Sequence, residues 1–441
     1  MKLKELKQII LKGGDKKTMK IKIKQEKGIT LIALVVTIVV LLILAGLSVN
    51  ALFGNSGIIE KAKDAQNKMD QATQNDLDSI NELNNWIDGK INGTTGGNTT
   101  GGDDNPSTTT TKISTLVGTV VDKNTKAEDA YGNKITIPKG FKVVAHGTAA
   151  GSATYTYSGD NIPAVQDGIV IENGTDKNQF VWVPVGTIKN KDNTTNTITL
   201  GRYSNFTATN GEYTPVQVAL VENRTQTVTI GDGFQELSTS RGGNSAKDST
   251  AQNATARNLE EFISTTLANG GYYIARFEAS GTASKITSKY DQTVLVDITQ
   301  PNAAKLAREM YGEIKENNKL VYASDLVNSY AWDTAIVFIQ TYSGKTDYAS
   351  HNESKTTKAF TATGKNNDKY CNIWDMSGNA CEWTTEYSTI SRNSFFNPCV
   401  FRGGSCRTDI GKVFYFTSLR NYNLTTLSYS NTGLRPLLYV K

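Results

Sequence analysis

The last seventy residues constrain the fold of this 441-residue chain more than any other stretch. They contain three short patterns in a fixed order: DMSGNACEW at 375–383, FRGGSC at 401–406 and GLRP at 433–436. Gly403 and Gly404 permit backbone conformations that residues with a Cβ resist. The three patterns therefore predict a compact domain rich in loops. They supply an acidic and aromatic segment, a glycine-paired turn beside a strand and an arginine close to the end.

Together and in this order, the three patterns resemble those of the formylglycine-generating, or sulfatase-modifying factor, family. That family reads D-M-x-G-N-x-x-E-W, then R-G-G-S, then G-F-R, and Leu434 stands here in place of its phenylalanine. Upstream segments at 180–186, 271–280 and 330–335 also resemble its strand and helix patterns. The resemblance covers residues 171–441 and implies an α+β domain with a C-type-lectin-like fold. Fold alone does not set function, so the site must be argued separately.

Charge is concentrated at the N-terminus. The net charge is +5, but residues 1–28 carry ten lysines against three acidic residues, which is +7 and leaves −2 for the rest. A near-neutral remainder does not favour a nucleic-acid partner. The two histidines, His146 and His351, lie outside the three patterns. Catalysis by histidine and a histidine-rich metal site are therefore not expected.

Residues 29–49 are almost wholly apolar. A helix of this length rises about 1.5 Å per residue and spans roughly 30 Å, enough to cross a bilayer. The lysines before it predict a signal anchor with its N-terminal end inside, by the positive-inside rule. We therefore expect a single-pass protein of the cell membrane whose C-terminal domain is extracellular.

The junction KGITLIA at 27–33 resembles a prepilin-type processing site. The resemblance implies that a prepilin-type peptidase cuts after Gly28 and that the new N-terminal residue, Ile29, is methylated. Ala33 stands where that family has a glutamate important for subunit assembly. Processing is therefore favoured over assembly into a pilus-like polymer.

Composition and periodicity divide the chain into six segments. They are a prepilin-like basic leader at 1–28, a transmembrane helix at 29–50, an amphipathic stalk helix at 51–88, a flexible Gly/Thr linker at 89–112, a small β lead-in at 113–170 and the C-type-lectin-like domain at 171–441. The stalk repeats apolar residues at three- and four-residue intervals, and the linker lacks the apolar residues that a core needs. Within the last segment, helices are predicted over 255–268, 303–316 and 330–341.

All four cysteines lie within or beside the three patterns. Disulfides are permitted in an exported protein, and four cysteines allow three pairings. Cys381 and Cys406 occupy positions where the resembled family has aromatic residues, which suggests a Cys381–Cys406 bridge in place of aromatic packing. The alternative is two small buried apolar side chains.

The resembled family oxidises a target cysteine by means of a copper-bound cysteine pair that follows R-G-G-S. Copper in such a site requires thiolate ligands, and no cysteine follows Cys406. Lys369 stands where that family's calcium-binding segment has an oxygen ligand. We therefore expect no catalytic residue, no cofactor and no metal site, and structural roles for Asn379, Glu382, Trp383 and Arg435.

Residues 407–432 are rich in Tyr, Asn, Ser and Thr, a mixture favoured at recognition surfaces. They contain no constellation of acid, base and nucleophile. The segment resembles the variable C-terminus of retroelement-diversified C-type-lectin-like proteins, and a fixed surface loop is the alternative. The residues predicted to contact a ligand are Arg407, Asp409, Tyr415, Thr417, Arg420, Asn421, Tyr422 and Asn423.

These expectations combine into a membrane-anchored, surface-displayed protein of the adhesin or receptor type, without enzymatic activity. Its partner is expected to be an extracellular protein or glycan. A pilin-like structural subunit of a surface filament is the second hypothesis, and Ala33 weighs against it. An oxidase of the formylglycine-generating type is the third.

Overall fold

The computed structural model describes residues 111–144, 163–219, 233–237, 253–316, 319–351, 359–392, 395–406 and 416–441. Pro106–Lys441 forms one compact unit. The predicted leader, transmembrane helix and stalk lie outside the described residues, as does the predicted linker apart from its last two residues. Within the described ranges, no helix has the length and hydropathy needed to cross a membrane.

Strands dominate the first half of the described chain. In order they are β1 (Thr111–Lys112), β2 (Thr125–Glu128), β3 (Lys134–Ile137), β4 (Phe141–Val143), β5 (Val170–Asn173), β6 (Gln179–Pro184), β7 (Gly186–Lys189), β8 (Thr195–Ile198), β9 (Gly201–Arg202), β10 (Gln217–Val218), β11 (Phe234–Gln235) and β12 (Gly271–Ala275).

The second half continues in the same way. Its strands are β13 (Ser280–Thr282), β14 (Lys285–Thr287), β15 (Glu313–Glu316), β16 (Lys319–Leu326), β17 (Lys369–Tyr370), β18 (Ile373–Trp374), β19 (Cys381–Ser388), β20 (Ser391–Arg392), β21 (Phe395–Phe396), β22 (Cys399–Arg402), β23 (Asn421–Asn423), β24 (Thr432–Leu434) and β25 (Pro436–Val440). This part of the chain is mostly β with few helices, which is compatible with the predicted C-type-lectin-like fold.

Three α-helices occur in the described part: α1 (Leu259–Asn269), α2 (Gln300–Glu309) and α3 (Ser329–Tyr342). Each begins after a side chain that accepts a hydrogen bond from the first turn, which satisfies an otherwise unpaired N–H group. The three capping residues are Asn258, Thr299 and Asn328. Helix α3 is buried along twelve of its fourteen residues, so it forms part of the core.

The larger sheet has seven strands in the order β15-β16-β25-β12-β6-β5-β4. All neighbouring pairs are antiparallel. Its three central strands, β25, β12 and β6, are buried at every residue. Such strands are largely apolar because both faces are covered, as the run FVWVP within β6 illustrates. Helix α1 contacts β12 and β25, and α3 contacts β6.

The smaller sheet contains five strands and holds the three sequence patterns together. Strand β19 lies between β11 and β22, β23 pairs with the far edge of β22, and β24 runs parallel to β19. The first pattern therefore runs into β19, the second begins in the last two residues of β22, and the third runs from β24 to the start of β25. Residues separated by more than fifty positions along the chain become neighbours in this sheet.

Part of the predicted β lead-in, which we expect to pack on the main domain, belongs to the larger sheet. Strands β1, β2 and β3 form a sheet of their own, but β4 pairs with β5 and is the end strand of the seven-stranded sheet. Ile135 and Phe141 belong to the same buried apolar cluster as Trp182. The two predicted segments thus share one core.

Two predicted helix boundaries were wrong. The helix predicted over 303–316 ends at Glu309, and residues 313–316 form β15. Gly312 has a φ of 64° and its N–H donates to the carbonyl of Arg308 at 2.8 Å, which is how a glycine ends a helix. The helix predicted over 255–268 begins only after Asn258 because that residue is its cap.

Candidate functional site

Strand β23 carries three of the residues predicted to contact a ligand. It pairs with β22 in the register Cys399–Asn423, Val400–Tyr422 and Phe401–Asn421. Asn421 and Tyr422 are half-buried and Asn423 is buried. The Tyr422 ring lies 6.0 Å from that of Phe234, measured between centroids. Strand β23 is also the end strand of the five-stranded sheet, so this pair borders the domain surface.

Arg420 fastens the segment before β23 to the core. Its Nε donates to Glu386 Oε1 at 2.9 Å, and its other terminal nitrogens reach Asp333 Oδ2 at 2.5 Å and the carbonyl of Tyr203 at 3.2 Å. The side chain is only 8% exposed. A buried guanidinium that bridges two carboxylates fixes geometry as well as supplying energy, because its hydrogen bonds are charge-assisted.

Two further arginines form ion pairs with the same two carboxylates. Arg202 lies 2.6 Å from Glu386, and Arg402 lies 2.6 Å from Asp333 and 3.4 Å from Glu386. Burial alone would raise the pKa of Glu386, but the guanidiniums of Arg420, Arg202 and Arg402 lower it to about 2. Glu386 is therefore charged throughout the physiological pH range. The arginine of the second sequence pattern, Arg402, is a member of this network.

Thr417 holds the start of the segment. Its N–H and its hydroxyl both donate to the carbonyl of His351, at 3.1 and 3.2 Å. Its carbonyl accepts from Trp332 Nε1 at 3.0 Å. The side chains of Thr417, Arg420 and Asn423 are thus buried. Ligand contact through these three residues stays a prediction, since none of them presents an exposed side chain. Arg407, Asp409 and Tyr415 lie outside the described residues.

Sequence reasoning did not single out two exposed apolar side chains that follow β23. Leu427 is 43% exposed and Tyr429 is 37% exposed. Ser428 Oγ donates to Asp297 Oδ1 at 2.6 Å, and the N–H of Asp297 donates to the carbonyl of Tyr429 at 3.0 Å. These bonds fix the loop that presents the two side chains. The tyrosine- and serine-rich composition of 407–432 was the available signal, but it did not distinguish these positions from their neighbours.

The structural roles predicted for the first and third patterns are confirmed. Trp383 is buried and its Nε1 donates to the carbonyl of Ile298 at 2.7 Å. Arg435 is buried, pairs with Glu382 at 2.6 Å and donates to the carbonyl of Ala275 at 2.9 Å. Asn379 donates to Glu278 at 2.5 Å. These residues close the core and do not face solvent.

Four buried carboxyl groups surround Arg435: Glu278, Asp368, Asp375 and Glu382. Burial raises the pKa of all four because the interior disfavours the charged form. For Asp375 the pKa rises to about 6 in spite of the N–H of Gly364 and the charge of Arg435, which lower it. For Glu382 it rises to about 7, again opposed by Arg435. These groups hold protons well above the pH at which ordinary carboxyl groups lose them.

No disulfide joins any of the four cysteines in the structure, so the predicted Cys381–Cys406 bridge is not formed there. Cys381, Cys399 and Cys406 are buried and Cys371 is partly buried. Burial raises the pKa of the Cys371, Cys381 and Cys399 thiols. Among the described residues, no group of three His, Cys, Asp or Glu side chains is arranged to hold a metal ion.

No known protein-family model matches the chain, and no curated protein matches it. The structure of CarF is 14% identical with a TM-score of 0.27, over 39% of this chain and 87% of its own. Treponema denticola variable protein 1 is 11% identical with a TM-score of 0.26, over 49% and 99%. The Major Tropism Determinant U1 variant is 13% identical with a TM-score of 0.24, over 75% and 98%. At TM-scores below 0.5, these similarities carry no argument about fold or function.

Proposed function

We propose that this chain is a surface-displayed binding protein that contacts an extracellular partner through Asn421, Tyr422, Leu427 and Tyr429. These four residues, defined here as the C-terminal face, are among the exposed or half-buried residues that the structure describes between the second and third patterns. The observation that carries the proposal is the anchoring of this segment by Arg420. Arg420 bridges two buried carboxylates and so holds the segment, and with it the C-terminal face, in one position on the core.

Rigid anchoring favours binding because the face loses little conformational freedom when a partner docks. Ordering a loop or a long side chain costs about 0.5–1.5 kcal/mol for each immobilised group. Here the segment is already held at Thr417, Arg420 and Ser428. Tyrosine adds a large, stiff and amphipathic contact at small entropic cost. The C-terminal face is therefore suited to recognition before any partner arrives.

The first test replaces Tyr422 by alanine in the full-length chain and measures binding to a printed array of extracellular proteins and glycans. A tyrosine at the centre of an interface contributes about 2 kcal/mol or more, so binding should weaken at least tenfold. Tyr290→Ala is the matched control, since Tyr290 is also half-buried but belongs to another part of the domain. Equal binding by the parent chain and the Tyr422 variant would reject this face.

Display at the cell surface is part of the same proposal. The apolar segment 29–49 anchors the chain, and the stalk and linker extend the domain outward. Cleavage after Gly28 makes Ile29 the new N-terminal residue.

The composition of 407–432 supports a face that is diversified by a retroelement. Sequencing of codons 399–436 in a population grown from one cell tests this: substitutions concentrated at adenines are expected, and a uniform sequence would leave a face of fixed specificity.

The domain acts without catalysis in this proposal. The formylglycine-generating reaction needs a copper-bound thiolate pair, and the thiols of Cys381 and Cys399 are buried with raised pKa values. A buried protonated thiol is a poor metal ligand. Titration of the full-length chain with Cu(I) is expected to show no tight site, and a tight stoichiometric site would reopen the oxidase hypothesis.

A further inference from the structure

A groove of about 520 Å³ lies beside the segment that precedes β23. One wall consists of the loop after β9, including Asn205, Phe206 and Tyr213, and the other of the turn that contains Asp347. Ser418 lies at its edge. Sites for small ligands usually occupy about 300–1,000 Å³ and are preformed. The groove has the size of such a site, and neither the proposed C-terminal face nor the anchoring network uses its interior.

One buried side chain fixes the walls of the groove. Gln340 is 2% exposed, and its Nε2 donates to the carbonyl of Phe206 at 2.8 Å and to the Tyr213 hydroxyl at 3.1 Å. Its Oε1 accepts from the N–H of Ala349 at 2.8 Å, and the N–H of Ser418 donates to the carbonyl of Ala349 at 2.9 Å. All three boundaries of the groove are therefore held in register by direct hydrogen bonds. The shape is preorganised.

The lining has the chemistry of a site for a neutral polyol. Hydroxyl and amide groups, as in Ser204, Asn205 and Ser350, can both donate and accept hydrogen bonds. Phe206 and Tyr213 are half-buried and offer apolar ring surface. A sugar ring presents this combination to its surroundings, since each hydroxyl donates and accepts and each ring has an apolar C–H face.

The charge of the described lining favours a neutral ligand. No Lys, Arg or His side chain lines the groove within the described residues, whereas the carboxylate of Asp347 does. The neighbouring Lys345 lies 2.8 Å from Asp347 and is occupied by it. Within the described residues, the lining therefore offers no cation with which a phosphate, sulfate or sialic acid could pair. A peptide that docks by strand addition requires an unpaired strand edge, and the lining residues belong to loops, a turn and a helix.

We propose that this groove, walled by Phe206, Tyr213 and Asp347 and held by Gln340, binds a neutral oligosaccharide. It is a site separate from the C-terminal face, although Ser418 joins the two along the chain. Oligosaccharide binding at the groove can therefore be tested independently of partner binding through Tyr422.

The test uses the full-length chain, kept in solution without any sugar-headed detergent, and measures calorimetric binding of three neutral probes: maltohexaose, cellohexaose and chitohexaose. At least one should bind, and Phe206→Ala should weaken that binding about tenfold or more because it removes the ring. Asp347→Ala should also weaken it. Tyr290→Ala and Asp122→Ala are controls, since Tyr290 is half-buried and Asp122 is exposed and neither lines the groove. Circular dichroism confirms that every variant is folded.

The outcomes separate this site from the C-terminal face. Tyr422→Ala should leave oligosaccharide binding unchanged, whatever it does to the array signal. Failure of all three neutral probes to bind would overturn the proposal, as would binding that the Phe206 and Asp347 variants leave intact. Tighter binding of a sialylated or sulfated oligosaccharide, or of a peptide, at this groove would assign it to another class of ligand and would equally overturn the proposal.

Discussion

At the scale of single residues, the position of the C-terminal segment depends on one carboxylate. Glu386 forms ion pairs with Arg202 of β9, Arg402 of β22 and Arg420 of the segment before β23. Glu386 is wholly buried. Removing its charge would take one of two carboxylates away from three guanidiniums in a dry environment, with Asp333 still paired to Arg402 and Arg420. The cost of such a change is the desolvation of the remaining partners, which exceeds the strength of the ion pair itself.

Glu386→Gln should therefore lower the free energy of unfolding by about 3–5 kcal/mol, the usual cost of breaking a buried ion pair. Urea titration followed by circular dichroism measures this change. The matched control is Glu316→Gln, which breaks an exposed 2.9 Å pair with Lys139 and should cost less than about 1 kcal/mol. Similar losses in the two variants would show that the buried network does not stabilise the domain.

At the scale of elements, a tight turn connects β22 to the segment that follows. Gly403 has a φ of 77°, and a Cβ placed there would lie 3.0 Å from the carbonyl oxygen of Met376 and 3.5 Å from the Trp332 ring. Gly344, which follows α3, has a similar φ of 74° but open space around it. The two positions differ in crowding and share the same backbone conformation.

Gly344→Ala should cost about 1–2 kcal/mol, because an L-residue with a side chain resists the left-handed region. Gly403→Ala should cost more, since the added Cβ would lie 3.0 Å from the carbonyl oxygen of Met376, which must also shift. Thermal and urea unfolding of the two variants, side by side, measure the difference. If both lose the same stability, the glycine of the second pattern is required for its φ alone.

At the scale of the whole molecule, stability is tied to pH through two groups of buried acids with opposite shifts. Glu386 has a lowered pKa of about 2, so its contribution is present above pH 4.5 and is lost as the pH falls towards 2. Asp375 and Glu382 have raised pKa values of about 6 and 7. The folded state binds more protons at these two groups than the unfolded state does, so their contribution is present below about pH 4 and is lost as the pH rises through 6 and 7.

The free energy of unfolding should therefore decrease between pH 4 and pH 8, by about 1.4 kcal/mol for each unit of raised pKa that is titrated. Urea titrations at unit intervals of pH measure the slope. Asp375→Asn replaces the protonated carboxyl by a neutral group of the same shape, and it should reduce the slope between pH 4 and 6. A slope identical to that of the parent chain would contradict the proton assigned to Asp375.

The sequence by itself was sufficient for several local features. Strand β6 and strand β12 lie where the resemblance to the family's strand patterns placed them, and α3 covers the predicted 330–341. The structural roles of Trp383 and Arg435 were also predicted correctly. These features depend on neighbours in the chain or on a resemblance carried by a few residues. The helix predicted beyond Gly312 was wrong because pairing with β16 determines the structure of 313–316.

Only the tertiary structure decided which residues of the C-terminal segment are exposed. Composition placed a recognition surface within 407–432, but it could not separate buried Arg420 from exposed Tyr429. That difference depends on Asp333 and Glu386, which lie 87 and 34 positions from Arg420 along the chain. The groove likewise depends on Gln340 meeting Phe206 across 134 positions. Such contacts follow from the packing of distant elements, and no local pattern of residues encodes them.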